Sequence, residues 1–162
     1  MSAFDQLDRT DYEILRLLRN NARLSNRELA EQIGLAPSTT LVRVRRLERE
    51  GAIRGYVAEF APEALGVSLQ AMIAVKLQHH SLKDLSAFRQ HVLSLEEVVQ
   101  IYHIAGASDF LIHVWVRDAQ HLRDLAMVSL TTRPEVAQLE THLIFEHTRN
   151  AEMPLYVNVD AD

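Results

Sequence analysis

The sequence predicts an α+β chain: an N-terminal (winged) helix-turn-helix domain followed by a C-terminal βαββαβ ferredoxin-like sandwich. Three observations carry this prediction. Residues 8–50 hold three short amphipathic segments with explicit start and stop residues, the apolar period falls from 3.6 to two at Ser68, and helical and strand patterns then follow one another in the order βαββαβ.

Asp8 is placed to cap a first helix over about 8–20, with Ile14, Leu15, Leu17 and Leu18 on one side, and Asn20-Asn21 ends it. Ser25 and Glu28 form a capping box, each side chain satisfying a backbone donor the helix leaves unpaired. Leu29, Ala30 and Ile33 give the next buried stripe, and Gly34 stops it. A third helix begins near Pro37, whose fixed φ suits a first helical position, and runs to Glu50-Gly51. Leu41, Val44 and Leu47 are expected to face inward, leaving Thr39, Thr40, Arg43 and Arg46 on other faces. A short amphipathic helix, a glycine-centred turn and a longer helix make a helix-turn-helix. Ile53–Phe60 reads as a strand, and Pro62–Gly66 as a connector.

From Ser68, Leu69, Ala71, Ile73, Val75 and Leu77 alternate with Gln70, Met72, Ala74, Lys76 and Gln78, the pattern of a half-buried strand. Ser81 and Asp84 open a helix with Leu82, Leu85, Phe88, Val92 and Leu95 near one face. Strands follow at 98–105 and 109–117. Asp118 caps a further helix that buries Leu122, Leu125, Ala126 and Leu130 and stops before Pro134. Leu139, Thr141, Leu143 and Phe145 mark the inward side of a last strand. This order is the split βαβ sandwich, with both helices on one face of an antiparallel sheet. Apolar residues on both sheet faces, such as Ile101 and Ile104, or Phe110, Leu111, Ile112 and Val114, predict a self-associating sheet and at least a homodimer. The expected division is 1–52 for the helix-turn-helix domain, 53–67 for strand and connector, 68–150 for an effector-binding and oligomerisation domain, and 151–162 for a C-terminal tail.

Composition narrows the function. The 162 residues contain no cysteine, which removes disulfides, thiolate nucleophiles and Cys-based zinc sites. Eight histidines are scattered with no metal-ligand spacing, so no cofactor or metal is expected. No Ser/His/Asp arrangement or phosphate-cradling glycine loop points to catalysis. No apolar run approaches the roughly 20 residues that span a bilayer, and Met1–Asp5 lacks an export pattern, so no membrane partner and a cytoplasmic location are expected. The net charge of −5 hides an asymmetry: residues 1–60 carry 10 arginines and 9 acids, whereas the remainder carries 7 basic residues against 13 acids. Four arginines and one acid fall within residues 43–49, a concentrated positive patch.

Leu7-Asp8-Arg9-Thr10-Asp11, Arg23–Ala30, Gly34-Leu35 leading to Val42–Glu48 and Gly51, and Gly106-Ala107-Ser108-Asp109-Phe110 together give the chain a specific resemblance. Over roughly residues 5–150 it resembles the Lrp/AsnC (feast/famine) family of prokaryotic transcription regulators. The resemblance implies binding of double-stranded DNA, dimerisation through the C-terminal domain with assembly to tetramers or octamers, and a small-molecule effector, in many members an amino acid, bound near Gly106–Phe110. One departure concerns the residue before Pro37, often a capping Ser in this family and here Ala36. Ser38 or Thr39 would then have to cap a helix that starts slightly later.

Because the start of a recognition helix usually reaches base edges, Ser38, Thr39, Thr40 and Arg43 are the candidates for base reading. Arg45, Arg46, Arg49 and Arg27 are the candidates for phosphate contacts. Neither Arg43 nor Arg46 is expected to be needed for the core. At Gly106–Phe110 the plain reading is a hairpin turn, glycine for positive φ and Asp for a local bond to the backbone. The alternative is an effector site in which the Asp109 carboxylate, the Ser108 hydroxyl and exposed amides hold a free amino acid. His142, with His103 approaching it across the sheet, is placed at the same site. Trp115, Met72 and Met127 are read as core or interface fillers. Two other functions compete: an enzyme, since siroheme decarboxylases resemble this family in both domains, and a protein-binding helix-turn-helix, against which the arginine cluster argues.

Overall fold

The computed structural model describes Phe4, residues 6–150, Pro154 and Tyr156; of the expected 151–162 tail, all but these last two lie outside the described residues. Two compact units emerge, one running to Glu59 and taking in the segment from Arg149, the other spanning Phe60–Thr148.

In the first unit, α1 (Arg9–Asn20), α2 (Asn26–Ile33) and α3 (Pro37–Arg49) follow the caps the sequence supplies. The Asp11 amide donates to the Asp8 carboxylate at 2.9 Å, and the Asp8 amide donates back to Asp11 at 3.0 Å. Ser25 and Glu28 do the same for α2, and Gly34, at φ 70°, closes it in a conformation that costs an L residue about 1 kcal/mol or more. Ile14, Leu29 and Leu47 are fully buried and Leu18 nearly so, with Leu24, Ile33, Val44 and Ile53 packed around them. Each such side chain contributes about 1.5–3 kcal/mol.

Two expectations for this unit fail. The inward stripe of α3 is Thr40, Val44 and Leu47 rather than Leu41, Val44 and Leu47. Leu41 is 37% exposed at the rim of a small apolar cavity, while Thr40 is fully buried. The spacings i, i+4, i+7 and i+1, i+4, i+7 differ by one residue, and Thr40 is tolerated inside because its hydroxyl donates to the Ala36 carbonyl at 3.2 Å. The segment Ile53–Phe60 is not a strand: no described strand lies beside it to take its amides.

The second unit has a four-stranded antiparallel sheet in the order β2-β3-β1-β4, with β1 (Leu69–Leu77), β2 (Val98–His103), β3 (Phe110–Val116) and β4 (Val136–Ile144). β1 lies between β3 and β4, with Ile73 opposite both Ile112 and Thr141. α4 (Leu82–Leu93) starts at Ser81, whose hydroxyl accepts from the Asp84 amide, and α5 (Ala119–Asp124) at Asp118, which accepts from His121. Phe88 and Val92 of α4 and Leu122, Leu125 and Leu130 from the α5 side bury the sheet face that carries Ala71, Ile73, Val75, Phe110, Ile112 and Val114.

α5 continues as a π-helical stretch over Leu125–Leu130, after which the Thr131 amide and hydroxyl both donate to the Ala126 carbonyl, at 2.9 and 2.8 Å. Leu82 is exposed, as are Thr141, Leu143 and Phe145. β4 is an edge strand, and only its Val136 and Leu139 reach the core. The opposite sheet face, with Met72, Ala74, Leu111, His113 and Trp115, has no helix of this unit packed over it among the described residues.

Candidate nucleic-acid interface and ligand turn

α3 rests against the core on Thr40, Val44 and Leu47. At 100° per residue, the opposite side carries Ser38, Val42, Arg45 and Arg49, spaced i, i+4, i+7, i+11, and all four are exposed. Thr39 borders this stripe and is also exposed. Arg27 lies on α2, exposed and paired with Glu31 at 3.2 Å. Of the base-reading candidates, Thr40 is removed by burial: it cannot touch DNA while α3 is packed. Val42, 68% exposed in the middle of the stripe, is an addition that sequence reading passed over because an apolar residue in an amphipathic helix is assigned to the core by default. The start of α3 is also settled. The helix begins at Pro37 with Ala36 in the cap position and no side-chain cap, so Ser38 and Thr39 are not consumed as caps; the Asn26 side-chain Nδ2 donates to the Pro37 carbonyl at 2.7 Å.

Arg43 and Arg46 turn toward α1. Arg43 Nη1 donates to Asp11 Oδ1 at 2.9 Å and to Asp8 Oδ2 at 2.7 Å, and Arg46 Nη2 donates to Asp11 Oδ2. Asp11 is fully buried. The expectation that neither arginine matters to the core is therefore overturned: together they neutralise a carboxylate that has no contact with water. Burial pushes the Asp8 carboxyl up, but the Asp11 amide and the Arg43 guanidinium outweigh it and hold it below its usual value. The same pairing, chiefly with Asp8, raises Arg43. Asp11 was legible in principle, because it shares the i, i+3, i+7 stripe with Ile14 and Leu18, and an acid on a buried stripe demands a cation nearby.

The Gly106–Phe110 turn joins β2 to β3, and Gly106 takes φ 140°, open to glycine and strained for other residues. Gly106 and Ala107 are exposed and Ser108 is half-buried. Asp109 differs from expectation. Its bond to the backbone is not local but crosses the sheet end: Oδ2 accepts from the Leu77 amide at 2.7 Å, while Oδ1 meets His80 Nε2 at 2.8 Å and Lys76 Nζ at 3.7 Å. Burial pushes this carboxyl up, yet the Leu77 amide, His80 and Lys76 hold it below the usual range. The carboxylate is buried and already engaged on both oxygens by partners of this chain. Phe110 is buried against Phe88 and His103, with ring centroids at 5.1 and 4.9 Å.

His142 does not reach this turn. On β4 it stands opposite Met72 of β1, whereas Phe110 and His103 align with Val75. His103 and His142 stand on the two edge strands, which lie three strand spacings or about 14 Å apart, and are offset along them by the three residues from Met72 to Val75; His142 lies 3.8 Å from Glu140. The described residues contain no cluster able to hold a metal and no helix long and apolar enough to cross a membrane.

Similarity to known proteins follows the same two-unit division. Residues 7–54 match the winged helix-turn-helix DNA-binding model, and residues 70–153 match the Lrp/AsnC ligand binding domain. The chain is 43% identical over 145 residues to the HTH-type transcriptional regulator AldR of Mycolicibacterium smegmatis, covering 90% of this chain and 85% of that protein. It is 34% identical over 145 residues to the leucine-responsive regulatory protein of Escherichia coli K12, covering 90% and 88%. A transcriptional regulator from Neisseria meningitidis, solved as a complex with L-Met, superposes with a TM-score of 0.86 at 29% identity over 93% of this chain and 98% of that one. These relatives are named as regulators and not as enzymes. The chain belongs to the Lrp/AsnC family of DNA-binding transcription regulators, with a winged helix-turn-helix domain and a ligand-binding domain.

Proposed function

We propose that this regulator reads double-stranded DNA in a sequence-specific way with the exposed stripe of α3, self-associates through its uncovered sheet face, and senses an amino acid at the β2–β3 turn in the cytoplasm. The observation that carries the DNA reading is the placement of Ser38, Val42, Arg45 and Arg49 on one open side of a helix pinned on the other. Ser38, Thr39 and Val42 then read base edges, Val42 by contact with a thymine methyl, while Arg45, Arg49 and Arg27 hold phosphates. Each phosphate contact displaces about 0.9 counterion, so Arg45→Ala and Arg49→Ala should each make the slope of log affinity against log salt shallower by about one, measured by fluorescence anisotropy with duplex DNA. Unchanged slopes in both would overturn the assignment.

For the ligand, support comes from exposed Gly106 and Ala107, from the L-Met complex of the Neisseria relative and from the leucine-responsive name of the Escherichia relative. Asp109 holds the turn in place through the Leu77 amide, His80 and Lys76. A thermal-shift screen of the protein amino acids should yield at least one that raises Tm, and Ala107→Glu should remove that rise while leaving the ligand-free Tm in place. Absence of any shift across the screen would exclude an amino acid. For assembly, a second copy laid over Met72, Ala74, Leu111 and Trp115 buries the sheet face that no helix of its own unit covers, giving a dimer on which tetramers or octamers can be built.

A further inference from the structure

Four arginines sit within seven residues of α3, and the structure divides them into two pairs. Arg45 and Arg49 stand on the open stripe. Arg43 and Arg46 reach around the helix to α1, where Asp11 Oδ1 accepts from Arg43 Nη1 at 2.9 Å and Asp11 Oδ2 accepts from Arg46 Nη2 and from the Asp8 amide at 3.0 Å. Asp8 Oδ2 takes a second bond from Arg43 at 2.7 Å. Thus one fully buried carboxylate, itself held by the capping box of α1, grips two guanidiniums that leave the recognition helix one turn apart.

A buried carboxylate is a poor device for stability alone. An apolar residue beside Ile14 and Leu18 would fill the same stripe without the desolvation that an ion pair must overcome. What an apolar residue cannot do is take two arginines out of circulation. Arginine binds any phosphate equally well whatever the sequence beneath it, so four free arginines on one recognition helix would raise affinity for all DNA and lower the ratio by which one sequence is preferred.

We propose that Asp11 is a positioning residue for DNA recognition: it withholds Arg43 and Arg46 from the phosphate backbone and fixes the rotation of α3, so that only the Ser38–Arg49 stripe addresses the duplex. The inference rests on the reading of α3 as the DNA-facing helix. Asp8 assists by holding Arg43 from the rim, where it is about half exposed.

The test uses the full-length protein, a random-sequence duplex, and fragments that the wild-type protein selects from a random-sequence pool, with anisotropy read across a salt series. Asp11→Asn keeps the side-chain size and one acceptor but frees the arginines. It should bind the random duplex more tightly than wild type, with a salt slope steeper by about one to two, and its preference for selected fragments should fall about tenfold or more. A merely structural residue would lower Tm and the active fraction while leaving the slope and the preference of the folded protein unchanged, and that result overturns the proposal.

If Asp11→Asn does not fold by circular dichroism, Asp8→Ser decides: serine preserves the helix cap but removes one of the two carboxylates on Arg43, and a smaller change of the same sign is expected. No change in slope for Asp8→Ser overturns the proposal. So does a slope made shallower by about one in Arg43→Ala or Arg46→Ala, because those arginines would then be phosphate contacts. Failure of the α3 reading itself shows separately, as unchanged slopes for Arg45→Ala and Arg49→Ala.

Discussion

Asp109 accepts from the Leu77 amide and pairs with His80 and Lys76, tying the β2–β3 turn to the end of β1. Replacing it with alanine leaves the buried Leu77 amide without an acceptor, so Asp109→Ala should lose about 1–3 kcal/mol in urea denaturation. The effect carries a pH signature. The folded carboxyl titrates below its unfolded value, so its contribution is complete above about pH 4 and disappears as the pH falls through the folded pKa. The alanine variant should show a smaller loss of stability over that acid window than wild type. His113 adds a second window. Burial among Gln70 and Trp115, with His147 nearby, depresses its pKa, so the unfolded chain binds the proton more readily and stability falls as pH drops below about 6.5. His113→Gln should flatten that slope; an unchanged profile by thermal denaturation from pH 7 to about 5 would contradict it.

Among the elements, α3 decides most. Its start is legible from Pro37, whereas its inward face differs by one residue because Thr40 and Leu41, 100° apart, both border the side that Val44 and Leu47 define. Hydrophobicity favours Leu41, but the Thr40 hydroxyl can satisfy itself on the Ala36 carbonyl, and Leu41 goes to the rim of the apolar cavity. The missing cap gives a direct test. Ala36→Ser should supply an acceptor to an amide of the first turn and stabilise the first unit by about 1 kcal/mol, read as a rise in denaturation midpoint. Leu47→Ala, at a fully buried position in the last turn of the same helix, should cost about 2–5 kcal/mol. The π-helical stretch after α5 was not legible. Its buried positions Leu125, Ala126 and Leu130 suit a plain helix, and the wider turn shows in bonds across five residues such as those Thr131 makes to Ala126.

At the scale of the whole molecule, the proposed assembly rests on the sheet face that no helix of its own unit covers. Leu111→Arg puts a charge into the middle of that face while leaving the opposite core side intact. Sedimentation should show a monomer where the wild type shows a dimer or larger. A variant that sediments like wild type would move the interface elsewhere. The sequence by itself determined the caps at Asp8, Ser25, Ser81 and Asp118, the period change at Ser68 and the βαββαβ order that follows it, because these depend on residues within a few positions of one another. Only the tertiary structure decided which charges stay free. Asp11 meets Arg43 and Arg46 across 32 and 35 residues, and Asp109 meets Leu77 across 32. Pairing at such separations is set by how helices and strands pack. Packing left the Ser38–Arg49 stripe open, closed the Asp109 carboxylate, and set His103 and His142 on opposite edges of the sheet.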